Sequence, residues 1–211
     1  LHALDEDLLN DYQTLKKENT NHNLIIFHVM GQHVSYNTRY PKNRRKFKPE
    51  DYDRPDLNPR QKRILSDYDN AVLYNDSIVT SIVKLFTNKD AIVIYMPDHG
   101  EECFDGKMNT YGRLHSAAID ARLAREEFEI PFWIWVSHKY AVKHPKIFSE
   151  IVKAHKRRFM TDAIPHLLMY LAGIHTKDYR PQYNILSPQY DEMRPRLLKG
   201  STDYDKLGVR K

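Results

Sequence analysis

Four consecutive residues, Asp98-His99-Gly100-Glu101, gather the side chains that hold divalent metals into one short stretch. A carboxylate oxygen and an imidazole nitrogen are both suitable zinc donors, and manganese or another divalent metal accepts the same pair. Neighbouring residues converge on one ion only where the chain bends, and Gly100 bends without the obstruction of a Cβ. Glu101 and Glu102 add negative charge that favours a cation. An isolated Asp-His pair is more often a polar corner between strand and loop. Here a buried-strand pattern precedes it and Gly-Glu-Glu continues it. That setting favours a metal site with Asp98 and His99 as ligands.

His115 follows in Tyr111-Gly112-Arg113-Leu114-His115. If the polar loop before it folds back, His115 becomes a metal ligand or a contact for a substrate oxygen. Arg113 can pair with phosphate or sulfate, although a solvated arginine is the commoner outcome. His28 and His33 flank Gly31 after the apolar run at 24–27. His33, further into the loop, is the functional candidate, and His28, beside Phe27, reads as buried support. The other histidines have no partner pattern. Cys103 has no basic neighbour in sequence to activate it.

These side chains need elements to position them. Residues 91–96 form the clearest strand, apolar without alternation and therefore covered on both faces. Pro97 ends its ladder for want of an N–H. Asp98 and His99 then project at the strand's carboxyl end, where open α/β sheets bind ligands. Residues 24–27 and 131–136 read as further buried strands. If 24–27 and 91–96 are parallel neighbours, His33 approaches Asp98 and His99. Apolar positions from Ile64 to Phe86 recur at helical spacing, so a helix is expected over about 61–87. Residues 1–21 read as a helix before a turn, and 143–159 as a basic amphipathic surface helix. A helix capped at Thr161 or Asp162 buries Ile164, Leu167, Leu168 and Leu171 and stops at Gly173. Residues 36–59 form a long loop, and 176–211 an irregular tail. The helix–strand alternation predicts an α/β fold with a mostly parallel sheet flanked by helices.

The 211 residues suit one domain segment, 1–211, long enough to bury a core. No stretch reaches the roughly 18 apolar residues of a membrane span, and no signal peptide opens the chain. Leu1 is not an initiator Met, so the chain reads as an excised segment. One cysteine excludes an intrachain disulfide. The formal charge is +5, part of it in the run Lys42, Arg44, Arg45, Lys46 and Lys48. Such a run can meet anionic lipid or nucleic acid, but its commoner state is a solvated loop. It lacks the interleaved aromatics of a single-strand groove, so no nucleic-acid partner is expected.

Several stretches in order resemble one family. His28-Val-Met-Gly-Gln-His33, with Tyr36 and Arg39-Tyr40-Pro41, resembles the strand-loop of phosphoethanolamine transferases, members of the sulfatase and alkaline phosphatase superfamily. Tyr68-Asp69-Asn70-Ala-Val-Leu-Tyr74-Asn-Asp76 resembles their following helix. Tyr95-Met-Pro-Asp98-His99-Gly100-Glu101-Glu102 resembles their metal-binding strand end. Gly112-Arg113-Leu114-His115, Pro131-Phe132, Thr161-Asp162, Pro165 and Leu171-Ala172-Gly173-Ile174 follow in the same order.

The resemblance implies an alkaline-phosphatase/sulfatase-like fold, incomplete at its N-terminus. It implies that Asp98 and His99 bind catalytic zinc. His33 and His115 would contact the phosphoethanolamine group or a second zinc, with Glu101 beside that second site. The donor would be phosphatidylethanolamine, and the acceptor lipid A, lipopolysaccharide core or another envelope glycan. The protein would sit in a bacterial inner membrane through segments outside this chain, with this domain in the periplasm. The family's threonine nucleophile and an acidic zinc ligand have no counterpart here, so both are expected upstream, and the isolated segment is expected to be inactive, with its metal site incomplete. A sulfatase- or phosphodiesterase-type hydrolase and a glycerol-phosphate transferase are the alternatives for the same site. The sulfatase Cys-x-Pro-x-Arg motif does not occur.

Overall fold

The structure is a computed structural model that describes residues 4–15, 20, 22–105, 110–114 and 118–208. Along the chain run α1 (Asp7–Thr14), α2 (Pro59–Phe86), β1 (Ile92–Tyr95), β2 (Glu102–Cys103), β3 (Tyr111–Gly112) and α3 (Ala121–Phe128). They are followed by β4 (Trp133–Val136), α4 (His138–Lys143), α5 (Pro145–Ala154), α6 (Ile164–Leu171), β5 (Leu197–Leu198) and β6 (Thr202–Asp203). Two compact units result: Leu1–Leu85 with His99–Ala118, and Phe86–Asp98 with Ile119–Lys211. No helix among the described residues is long and apolar enough to cross a membrane.

In the first unit, α2 begins where its sequence dictates. Asn58 accepts the Gln61 N–H at 3.0 Å while Gln61 accepts the Asn58 N–H at 2.9 Å, a reciprocal cap, and Pro59 opens the helix. The buried face of α2 differs from the apolar stripe. Asp67, Asn70 and Asn75 are buried on it with Ala71, Tyr74, Ile78 and Ile82, while Val72 is exposed. The reason is the neighbour. The loop at 40–47 has polar backbone groups to satisfy, and polar side chains of α2 meet them.

In the second unit, β1 and β4 pair antiparallel, Ile92 opposite Val136 and Tyr95 opposite Trp133, and those last two rings stack at 5.2 Å. Ser137, fully buried, donates to Lys89 O and accepts the Ala91 and Tyr140 N–H groups, so one hydroxyl closes the ladder and caps α4. Ile94 and Ile134 pack on a core of Ala154, Leu167, Ile185 and Leu186. α6 ends in the expected glycine stop: Gly173 has φ +67, its N–H bonds Tyr170 O, and the Ile174 N–H bonds Met169 O. α3 was not evident from hydropathy, although Asp120 caps it by accepting the Leu123 N–H at 2.7 Å.

Three expectations need correction. The mostly parallel sheet is not formed: every ladder among the described residues is two-stranded and antiparallel. The expected coverage of both faces is only partial, every residue of β1 and β4 being half-buried, and strand direction follows from the path of the connection. Residues 24–27 lie in no ladder, with Leu24 72% and Ile26 78% exposed. The basic helix expected at 143–159 is two helices, α4 and α5, broken at His144 (φ −126°, ψ 59°). Pro145 disfavours helical geometry in the residue before it.

Candidate metal and phosphate site

β1 delivers Met96-Pro97-Asp98 at its carboxyl end, as expected, and Asp98 is exposed there. Asp98 is the last residue of its segment of the second unit, and His99 the first of a segment of the first. His99 is half-buried, and its Nδ1 lies 2.7 Å from Gly100 O. A carbonyl oxygen only accepts, so Nδ1 carries the proton. In the neutral ring Nε2 then bears the lone pair that a metal takes. His33 repeats the arrangement: it is exposed, and its Nδ1 lies 2.6 Å from Val34 O.

The loop bearing His33 is held on both sides. Asp5 accepts the Met30 and Gly31 N–H groups at 2.9 Å each. Gly31 has φ +50, a conformation that side chains rarely adopt. Arg39 bonds His33 O through Nε at 2.7 Å and Val34 O through Nη2 at 2.8 Å. The same loop passes close to β3, where a Cβ at Gly112 would lie 3.7 Å from Val34 Cγ1.

Glu101 and Glu102 have separate fates. Successive residues entering a strand point to opposite faces. Glu102 is fully buried, whereas Glu101 is half-buried and accepts the Tyr36 hydroxyl at 2.5 Å. Tyr36 is 3% exposed and meets Tyr68 and Tyr111 edge-on, with centroids at 5.1 and 6.1 Å. Burial first, and then the Glu101 carboxylate, raise its phenol pKa well above the usual value, so it remains a donor.

The first unit therefore brings together the His33 loop, Glu101 and the β3 turn that leads toward His115. His115 itself lies outside the described residues. Arg113 is exposed. His28, expected to be buried, is exposed. Cys103 is buried, and its thiol is pushed up by burial and by the carboxylates of Asp105 and Asp69. Tyr36, Arg39 and Asp5 escaped sequence reasoning as functional supports. An aspartate 26 residues upstream of a glycine carries no local signal of the two amides that it will accept.

Zinc sites use four donors, or three and a water. Among the described residues no group of three or more His, Cys, Asp or Glu side chains is placed to hold a metal ion. The expected ligands Asp98 and His99 belong to no such group among the described residues.

The family model described as Sulfatase matches residues 1–174. The chain belongs to the sulfatase family. It is 34% identical to phosphoethanolamine transferase EptC of Escherichia coli (strain K12) over 212 aligned residues, covering 96% of this chain and 35% of that protein. Its fold matches the crystal structure of the C-terminal periplasmic domain of EcEptC from Escherichia coli with a TM-score of 0.83 and 33% identity, covering 98% of this chain and 59% of that one. A structure of the same domain in complex with Zn matches with a TM-score of 0.82 and 32% identity, over 98% and 58% of the two chains. The chain thus spans about a third of the curated relative and under two thirds of the solved sulfatase-family domain.

Proposed function

We propose that this chain is part of the catalytic domain of a zinc-dependent phosphoethanolamine transferase. The protein is held in a bacterial inner membrane by segments outside these residues, with this domain in the periplasm. The donor is phosphatidylethanolamine, and the acceptor is lipid A, lipopolysaccharide core or another envelope glycan. The observation that carries the proposal is Asp98-His99-Gly100-Glu101 at the end of β1, in a sulfatase-family chain 34% identical to a named phosphoethanolamine transferase.

Asp98 and His99 would supply two zinc donors, and zinc when bound would stabilise charge on the phosphoryl oxygens. The nucleophile is a threonine outside these 211 residues. Its oxygen bonds to phosphorus as the diacylglycerol oxygen leaves with the proton, and the phosphoethanolamine group then passes from threonine to an acceptor oxygen. His33 and His115 would hold the phosphate or carry the proton, with Glu101 beside them. The isolated chain, with an incomplete ligand set, should bind zinc weakly and show no turnover.

The test is Asp98→Ala and His99→Ala in the protein that contains this chain. Both zinc content and transfer of labelled phosphoethanolamine should be lost. Unchanged zinc content with retained transfer overturns the ligand assignment. Release of free phosphoethanolamine without modified acceptor would replace transfer by hydrolysis.

A further inference from the structure

Residues 42–48 contain Lys42, Arg44, Arg45, Lys46 and Lys48 and no acidic residue. A solvated loop of this composition needs no anchoring, yet the backbone here is fixed from beneath. Asn70, buried on α2, accepts the Lys46 and Phe47 N–H groups on Oδ1 at 2.7 and 2.9 Å. Its Nδ2 donates to Phe47 O at 2.9 Å and Ser66 O at 2.7 Å. Arg45 turns onto buried groups: its Nη2 is 2.8 Å from Asp67, and its Nε bonds the Tyr40 hydroxyl at 3.1 Å. That hydroxyl in turn donates to Asp67 at 2.5 Å. Asp51 accepts the Lys48 N–H at 2.8 Å.

The other cations, Lys42, Arg44, Lys46 and Lys48, are exposed, and among the described residues none has an acidic side-chain partner. The fold thus presents them at set positions, and a binding partner would order little backbone. A single-stranded nucleic acid would need stacking aromatics between the cations. Phe47, the aromatic present, is half-buried with Lys46 Nζ 5.5 Å from its ring centroid. Closely spaced, exposed cations without stacking partners suit a surface of many singly charged phosphates.

We propose that residues 42–48 dock onto the anionic phospholipid headgroups of a bilayer, orienting the domain toward a membrane-borne substrate. The inference rests on the proposed transferase function, which places a lipid donor beside this domain. The test is cosedimentation of the 211-residue chain with phosphatidylcholine vesicles, with and without phosphatidylglycerol. Binding is expected only with phosphatidylglycerol and should fall as salt rises. The variant K42E/R44E/K46E/K48E should bind at least about a hundredfold more weakly, at about fivefold per cation. A control with the same charge reversal at exposed Lys146, Lys153, Lys156 and Lys177 should keep most of the affinity. Circular dichroism confirms that both variants fold.

No binding by the unaltered chain, or equal loss in the two variants, overturns the proposal. So does binding to lipopolysaccharide aggregates but not to phosphatidylglycerol vesicles, which would make the acceptor glycan the ligand. Vesicle binding needs neither zinc nor turnover, so its failure is distinct from failure of the transferase assignment.

Discussion

The Tyr36 hydroxyl donates to Glu101 Oε1 at 2.5 Å, joining the loop that bears His33 to the loop that follows His99. The phenol is buried, so its one polar atom is satisfied by a carboxylate that reaches in from the half-exposed side. Tyr36→Phe keeps the ring contacts and removes only this bond. The urea midpoint should fall by the equivalent of about 1.5–3 kcal/mol with an unchanged slope. No measurable shift would mean that water replaces the phenol at Glu101 without cost.

Asn70→Ala should release the 46–47 backbone. The Lys46 and Phe47 amides and the Phe47 carbonyl lose the Asn70 side chain, and Ser66 O loses an additional bond, at a cost of at least about 2 kcal/mol. Hydrogen exchange at the Lys46 and Phe47 amides is the specific readout. Protection there should vanish while α2 stays protected, and persistence of protection would show that the loop is held by other contacts.

Leu167 and Ile26 test the division between core and surface. Leu167 is fully buried with Ile185 and Leu186, so Leu167→Ala should cost about 2–5 kcal/mol. Ile26 is exposed outside any ladder, so Ile26→Ser should change stability by less than about 0.5 kcal/mol. A large loss at Ile26, measured by denaturant unfolding of the same chain, would restore the buried strand expected there.

Cys103 should resist thiol reagents in the folded chain and react on unfolding. Burial and nearby carboxylates raise its pKa, so the reactive thiolate is scarce at neutral pH. In the unfolded chain the thiol ionises near about 8.5. Above that pH the unfolded state binds fewer protons than the folded state. The thiol's contribution to stability is therefore complete below about 8.5 and declines as pH rises further. Rapid labelling of the native protein at neutral pH would contradict the burial.

The strand at 92–95, the long helix ending at Phe86 and the glycine stop at Gly173 were legible because each depends on neighbours in sequence. Apolar periodicity, a proline without an N–H and a residue able to adopt positive φ are local properties. The motif order from His28 to Gly173 pointed to the family for a similar reason: residue types at set spacings survive in sequence.

Tertiary structure decided what those local rules leave open. Strand direction at β1 and β4 depends on how the intervening chain returns. The polar burial on α2 depends on which backbone groups lie across from it, so hydropathy marked Val72 while Asn70 was the residue covered. The partner of Tyr36 lies 65 residues away in sequence. Asp98-His99-Gly100-Glu101 was evident as chemistry from the sequence alone, but Glu101's phenol and Glu102's burial arise only when distant segments fold against them.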